Sequence, residues 1–192
     1  MSTTRSFRPV QSVCLVAVIV VALIASGCGN KKQTVSNKYD TAFVIAMTPL
    51  ITNSIELAKI SARLNQHKTV SGMTDAISST RQGQLAVLKS AATELGIEPG
   101  KGDVAAAAKT LGLPAAQPGY TGNPGELESA KPFDKAFLNA MILQNKASLK
   151  MAYAQAAQGS LDPLKQVSSE IVARETQELE AMKQLLQQYY PN

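Results

Sequence analysis

Tyr39-Asp40-Thr41-Ala42-Phe43-Val44-Ile45-Ala46-Met47 and Phe133-Asp134-Lys135-Ala136-Phe137-Leu138-Asn139-Ala140-Met141 are two versions of one pattern, set 94 residues apart. Asp, Ala, Phe, Ala and Met hold the same relative positions in both. The register continues without a gap: Ala58 matches Ala152, Ile77 matches Ile171, Leu85 matches Leu179 and Lys89 matches Lys183. Two unrelated alanine-rich segments would not keep step over that length, so the chain reads as one helical hairpin written twice.

Within the first hairpin, Asn37 and Asp40 suit a helix start. Phe43, Met47, Leu50, Ser54, Leu57, Ser61 and Leu64 follow at three- and four-residue spacing, a core-facing stripe, with Pro49 expected to kink it. Residues 65–69 read as the turn. A second helix from about Val70 carries Met73, Ile77, Gln84, Leu88 and Leu95 inward and ends at Gly96 and Pro99. In the second hairpin, Pro132 suits a first helical turn, and Phe137, Met141, Gln144, Ser148, Met151 and Gln155 make the stripe up to Gly159. Asp162-Pro163 predicts the next helix start, with Asp162 as its cap. Leu164, Val167, Ile171, Glu175, Glu178, Met182 and Leu185 line its inner side, and it frays at Tyr189-Tyr190-Pro191. Residues 97–131 are broken by Pro99-Gly100, Leu113-Pro114, Pro118-Gly119 and Asn123-Pro124-Gly125, with one short helical piece, Asp103 to Leu111. So long a connection is expected to cross the bundle or cover one end of it. Two hairpins joined in this way predict an all-α four-helix bundle.

The first thirty residues have a different character. Arg5 and Arg8 precede an apolar run from Val13 to Ala25, too short for a span of about 20 residues but right for a signal-peptide core. It ends in Leu23-Ile24-Ala25-Ser26-Gly27-Cys28, which looks like a bacterial lipobox with Cys28 as the lipidated residue. On this reading Cys14 leaves with the leader, no thiol remains for a disulfide or a nucleophile, and the net charge falls from +5 to +3. That balance is too small to point to nucleic acid. Gly29 to Ser36 is polar and basic, as expected of a tether beside an anionic membrane. The expected organisation is a leader at 1–27, a lipidated tether at 28–37 and a bundle at 38–188. The bundle comprises hairpin one (38–96), a crossover linker (97–131) and hairpin two (132–188).

The hairpins resemble the bacterial domain-of-unknown-function family 305, which belongs with the ferritin-like helical bundles. That family's pattern is an Asp-x-x-Phe start, then Met-Ile-Pro-His-His, then an Ala-rich helix with a Met-Ala pair, then a helix with Gln and Glu three apart and a late Met. Asp134, Phe137, Met141-Ile142, Met151-Ala152, Glu178 and Met182 match it in the second hairpin; Asp40, Phe43, Met47, Pro49 and Ala58 match in the first. Pro118-Gly119 before Glu126-Leu127 looks like the family's Pro-Gly-Met segment. The resemblance covers roughly residues 39–187 and implies metal handling, copper above all, outside the cytoplasm, with the paired histidines and nearby methionines as ligands. The histidine pair is here Leu50-Ile51 in one hairpin and Gln144-Asn145 in the other, and the chain's single histidine, His67, lies in a turn.

One turn-located imidazole cannot build a copper, zinc or iron site alone, and no Glu-x-x-His motif for a di-iron centre is present. Inner-face Met47, Met141, Met151 and Met182 could suit Cu(I), with His67 as a transient ligand, but Met at helical spacing ordinarily fills core. Glu175 and Glu178 sit three apart, and their counterparts 94 residues earlier are Arg81 and Gln84. The expectation is an inner polar layer in which Arg81 pairs with one of the two carboxylates, with Gln84 and Gln144 nearby, since a buried carboxylate needs a partner. Two carboxylates without a cleft, His or Cys make poor acid–base catalysts, and no phosphate loop or serine nucleophile motif occurs. Lys131, Lys135, Lys146 and Lys150 give the third long helix a basic outer side, which a solvated face alone would explain. The sequence thus predicts a non-enzymatic, extracytoplasmic binding or accessory lipoprotein on the cell membrane or outer membrane. It would be held to the bilayer by acylated Cys28, would have a possible protein partner in the cell envelope, no nucleic acid and no cofactor, and would carry a degenerate metal site. Copper binding is the alternative.

Overall fold

A computed structural model of the chain describes residues 35–64, 67–114 and 122–191. The leader, Cys28, most of the tether and the Pro118-Gly119 pair lie outside the described residues. Among the described residues six helices follow in order: α1 (Lys38–Leu64), α2 (Lys68–Leu95), α3 (Val104–Thr110), α4 (Pro124–Ser129), α5 (Phe133–Gln158) and α6 (Asp162–Tyr189). The four long ones form the expected four-helix bundle, with α1 packed on α2 and α5, and α6 packed on α5 and α2. α1 is apolar enough by length and composition to span a bilayer, but most of its apolar window is buried inside the bundle.

α1 runs unbroken through Pro49, and α2 begins at Lys68, two residues earlier than periodicity suggested. Gly96, at φ +66°, ends α2 in the left-handed conformation that glycine adopts without strain, and the Ile97 N–H returns to the Ala92 carbonyl. The connection holds two short helices where the sequence suggested one. Asn123, read as a turn residue, caps α4 by accepting the Gly125 N–H at 3.0 Å. The connection crosses α1 at Ile45 to Pro49, where Gly102 (φ +135°) leaves only 3.0 Å between Ile45 and the place a Cβ would occupy. α3 then packs into the apolar cluster around Phe43, and α4 into the cluster around Phe137. The described parts of the connection therefore lie on α1, α3 in one apolar cluster and α4 in the other, next to the start of α5.

The repeated aspartates explain how the hairpins lock. Neither α2 nor α6 has a side-chain cap of its own: His67 and Leu161 occupy the N-cap positions, and Asp162 lies inside α6 rather than capping it. Each start is held instead by the aspartate of the other hairpin. Asp40 accepts the N–H groups of Ser160 (3.0 Å) and Leu161 (3.1 Å), the Gln155 amide (2.7 Å) and its own Asn37 N–H (2.8 Å). Asp134 accepts the His67 N–H at 2.9 Å. Both carboxylates are buried, so these bonds form away from competing water and satisfy backbone donors that would otherwise be orphaned.

Two apolar clusters fill the interior. One contains Phe43, Met47, Leu50, Ile51, Leu88, Met151, Leu164 and Ile171; the other contains Leu57, Val70, Ile77, Phe137, Met141, Met182 and Leu185. Along each long helix the change from one cluster to the other falls at buried polar residues: Ser54 on α1, Arg81 and Gln84 on α2, Gln144, Asn145 and Ser148 on α5, and Glu175 on α6. The bundle has a polar waist. Replacing Asp40 by Ala removes one carboxylate from four donors and is expected to lower unfolding free energy by about 3 kcal/mol. Urea denaturation would measure this, and Asp40→Asn should lose less because its amide oxygen still accepts.

Candidate functional site

The waist is built on Arg81. Its guanidinium, 1% exposed, reaches from α2 into the middle of the bundle and meets two other helices. Nη1 lies 2.9 Å from Glu175 Oε1 and donates to Gln84 Oε1 at 3.2 Å. Nη2 donates to Glu178 Oε2 at 2.9 Å and to Asn145 Oδ1 at 3.0 Å. Asn145 Nδ2 closes the ring by donating to the same Glu178 oxygen at 3.1 Å. The planar, five-donor guanidinium suits this task, since its two terminal nitrogens each meet two acceptors. Glu175 is wholly buried, whereas Glu178 keeps 17% of its side chain exposed and links the layer to solvent.

Burial pushes the Glu175 pKa up from its ordinary 4.5 to about 7; the Arg81 charge and the Ser148 hydroxyl oppose the rise, and the Glu178 charge adds to it. Desolvation outweighs the ion pair here because a fully buried carboxylate loses its hydration on every side. Ser148 Oγ also lies 3.6 Å from Met47 Sδ, which places the methionine beside this part of the layer.

Arg81, Gln84, Glu175 and Glu178 thus come together, with Arg81 bridging both carboxylates rather than one. Gln144 does not join them. It accepts from Ser54 Oγ at 2.5 Å and donates to Asn53, whose amide reaches the Gly122 carbonyl at 3.4 Å, so it ties α5 to α1 and to the end of the connection. Its neighbour Asn145 takes the place expected for it. α5 is buried at 141, 142, 144, 145, 147 and 148, so both residues face inward and the single stripe drawn from the sequence was too narrow to choose between them. The signal that could have found Asn145 was its position as the second residue of the replaced histidine pair.

The candidate metal ligands are scattered. Met47 and Met151 belong to one apolar cluster, Met141 and Met182 to the other. His67 stands at the start of α2 with its ring 3.8 Å from that of Tyr189. Among the described residues no group of three or more His, Cys, Asp or Glu side chains could hold a metal ion. A metal centre in the waist does not fit these residues, since a fixed guanidinium already supplies the positive charge between the carboxylates.

Residues 40–186 match the family described as Domain of unknown function (DUF305). The chain belongs to this family. The match spans both hairpins and the connection between them. No curated protein matches the chain. Among solved structures, the chain is similar to CopM in its Cu(I)-bound form, with TM-score 0.66, 19% identity, and coverage of 79% of this chain and 97% of that one. The Cu(II)-bound form of CopM gives TM-score 0.67 at 18% identity, with coverage of 79% and 97%. A DUF305 fragment from Deinococcus radiodurans gives TM-score 0.65 at 17% identity, covering 80% of this chain and 98% of the fragment. At such identities the likeness concerns the fold alone.

The raised Glu175 pKa has a definite sign. Between pH 4.5 and about 7 the folded chain holds a proton that the unfolded chain releases, so this group favours folding most at acid pH and its contribution is lost as pH rises to about 7. Relative to Glu175→Gln, the parent chain is expected to lose about 3 kcal/mol across that window, measured by denaturation at stepped pH. Arg81→Met should cost about 3 kcal/mol at neutral pH by leaving the carboxylates uncompensated, and Arg81→Met with Glu175→Leu should recover most of it.

Proposed function

We propose that this DUF305 protein is a lipid-anchored, extracytoplasmic binding or accessory protein, non-enzymatic, whose inner layer carries its own cation in place of a bound metal. The observation that carries the reading is the Arg81 guanidinium, buried and bonded to Glu175, Glu178, Gln84 and Asn145. A metal ion entering the waist would have to displace a permanently charged group and break four contacts. Glu175 is wholly buried, which supports the non-enzymatic reading, and of the two carboxylates Glu178 alone keeps a partly exposed edge. The anchor rests on the leader and on Leu23 to Cys28, with acylated Cys28 as the link to the bilayer of the cell membrane or outer membrane and an envelope protein as the possible partner.

The second reading is Cu(I) binding through inner-face methionines. What favours it is the shared fold with CopM, a protein seen in Cu(I)- and Cu(II)-bound forms, together with Met47 and Met141 at matching positions of the two hairpins. Titration with Cu(I) under reducing conditions separates the readings. Our reading expects no binding tighter than roughly micromolar and no effect of Met47→Leu with Met141→Leu; tight binding abolished by those changes would replace it with the second. For the anchor, Cys28→Ser is expected to move the chain out of the detergent phase and to abolish labelling by a palmitate analogue. Unchanged partition and labelling would remove the lipoprotein reading.

A further inference from the structure

The outer side of α5 carries lysines and no exposed acid. The only acid on that helix is Asp134, and it is buried. Lys135, Asn139, Leu143, Lys146, Lys150 and Tyr153 recur at three- and four-residue intervals, so they share one face. None of the three lysines makes an ion pair among the described residues. Between them stand Leu143, 54% exposed, and Tyr153, 57% exposed. Lys150 runs past Gly112, just beyond the last turn of α3.

The place where the chain enters the bundle is fixed at the C-terminal end of this helix. Asn37 donates to the Gln158 carbonyl at 2.7 Å and to Ser160 Oγ at 2.6 Å, at the C-terminal end of α5. Val35, 81% exposed, precedes it. Residues 28–37 can reach at most about 35 Å when fully extended, so a lipid on Cys28 keeps the C-terminal half of α5 within reach of the bilayer.

We propose that the C-terminal half of the α5 face, Leu143 to Tyr153, docks onto an anionic bilayer surface; this rests on the lipid-anchor reading above. The chemistry is that of an interfacial helix. Lys146 and Lys150 lay their methylene stems along the surface and extend their ammonium groups to lipid phosphates, while Leu143 and the Tyr153 ring enter the headgroup boundary. A face of mixed charge would gain nothing from such a surface, and a purely polar one would only hover above it. Docking on α5 turns the diagonal helix, α2, toward solvent.

The chain contains no tryptophan, so Tyr153→Trp introduces one reporter on the face, and Ala86→Trp, at an exposed α2 position, is the control. Each full-length chain is reconstituted into vesicles of brominated phosphatidylcholine, alone or mixed with brominated phosphatidylglycerol. Docking predicts that Tyr153→Trp emission shifts to the blue and is quenched in the anionic vesicles only. It also predicts that Ala86→Trp stays unquenched in both, and that Lys146→Glu with Lys150→Glu removes the quenching while the melting curve is unchanged. Equal emission from the two positions in anionic vesicles, or quenching that ignores the lysines, overturns the proposal. Intact mass of the same preparation reports acylation of Cys28. An acylated chain with unquenched Tyr153→Trp removes the docking face alone, whereas an unmodified chain with quenched Tyr153→Trp removes the anchor and keeps the face.

Discussion

A positive charge buried at the waist of the bundle is the constraint to which the rest of the interior answers. An unpaired guanidinium in that position would be prohibitively costly, so Arg81 obliges α5 and α6 to present acceptors at one level. Asn145, Glu175 and Glu178 do so, and α2 adds Gln84. Apolar packing alone is permissive about how far one helix slides along another, because Leu, Met and Ala tolerate many registers. A guanidinium with acceptors on two other helices tolerates very few. The polar waist thus fixes the vertical alignment of α2, α5 and α6, while the two apolar clusters above and below supply most of the driving force.

The aspartate clasps answer a different question, which hairpin lies against which. A hairpin whose second helix caps itself could fold without the other. Here α2 and α6 each begin on a residue without a capping side chain, and the missing acceptor arrives from 67 or about 120 residues away. Each hairpin therefore completes the other, and the pairing is specific because a buried carboxylate finds no equivalent set of donors elsewhere. The connection serves the same end. Its two described helices both pack on α1, and the start of α5, with Asp134, lies beside the start of α2.

How much of this was legible in the sequence differs from residue to residue. The repeated Asp-x-x-Phe start and the gapless 94-residue register were enough for the bundle and its hairpins, since periodicity reports burial directly. The pairing of Arg81 with Glu175 was within reach because the two occupy matching positions. Asp40 was read as a local helix start; that it and Asp134 hold the starts of distant helices depends on tertiary contacts that no local spacing encodes. For the same reason Asp162 looked like a cap and is not one. α4 was missed because Asn123-Pro124-Gly125 suits both a turn and a capped helix start, and the choice depends on whether Leu127 has a core to enter. Gln144 and Asn145 were confused because α5 is buried over more than half its circumference, where a one-stripe reading loses resolution.

Matching positions that differ in charge carry the last step. Positions 81 and 175 stand in the 94-residue register of the sequence, and so do 84 and 178. Carboxylates at both 81 and 175 would face each other across the centre and could coexist only by sharing a proton or by binding an external cation. Arginine opposite glutamate removes that requirement, because the cation is part of the chain. The arrangement remains charge-sensitive even so: Glu175 still titrates near neutrality, since burial strips its carboxylate of hydration and the Arg81 charge offsets only part of that cost. The layer is better described as an internal salt with a proton in reserve than as an empty metal site, and the shared DUF305 fold is compatible with either.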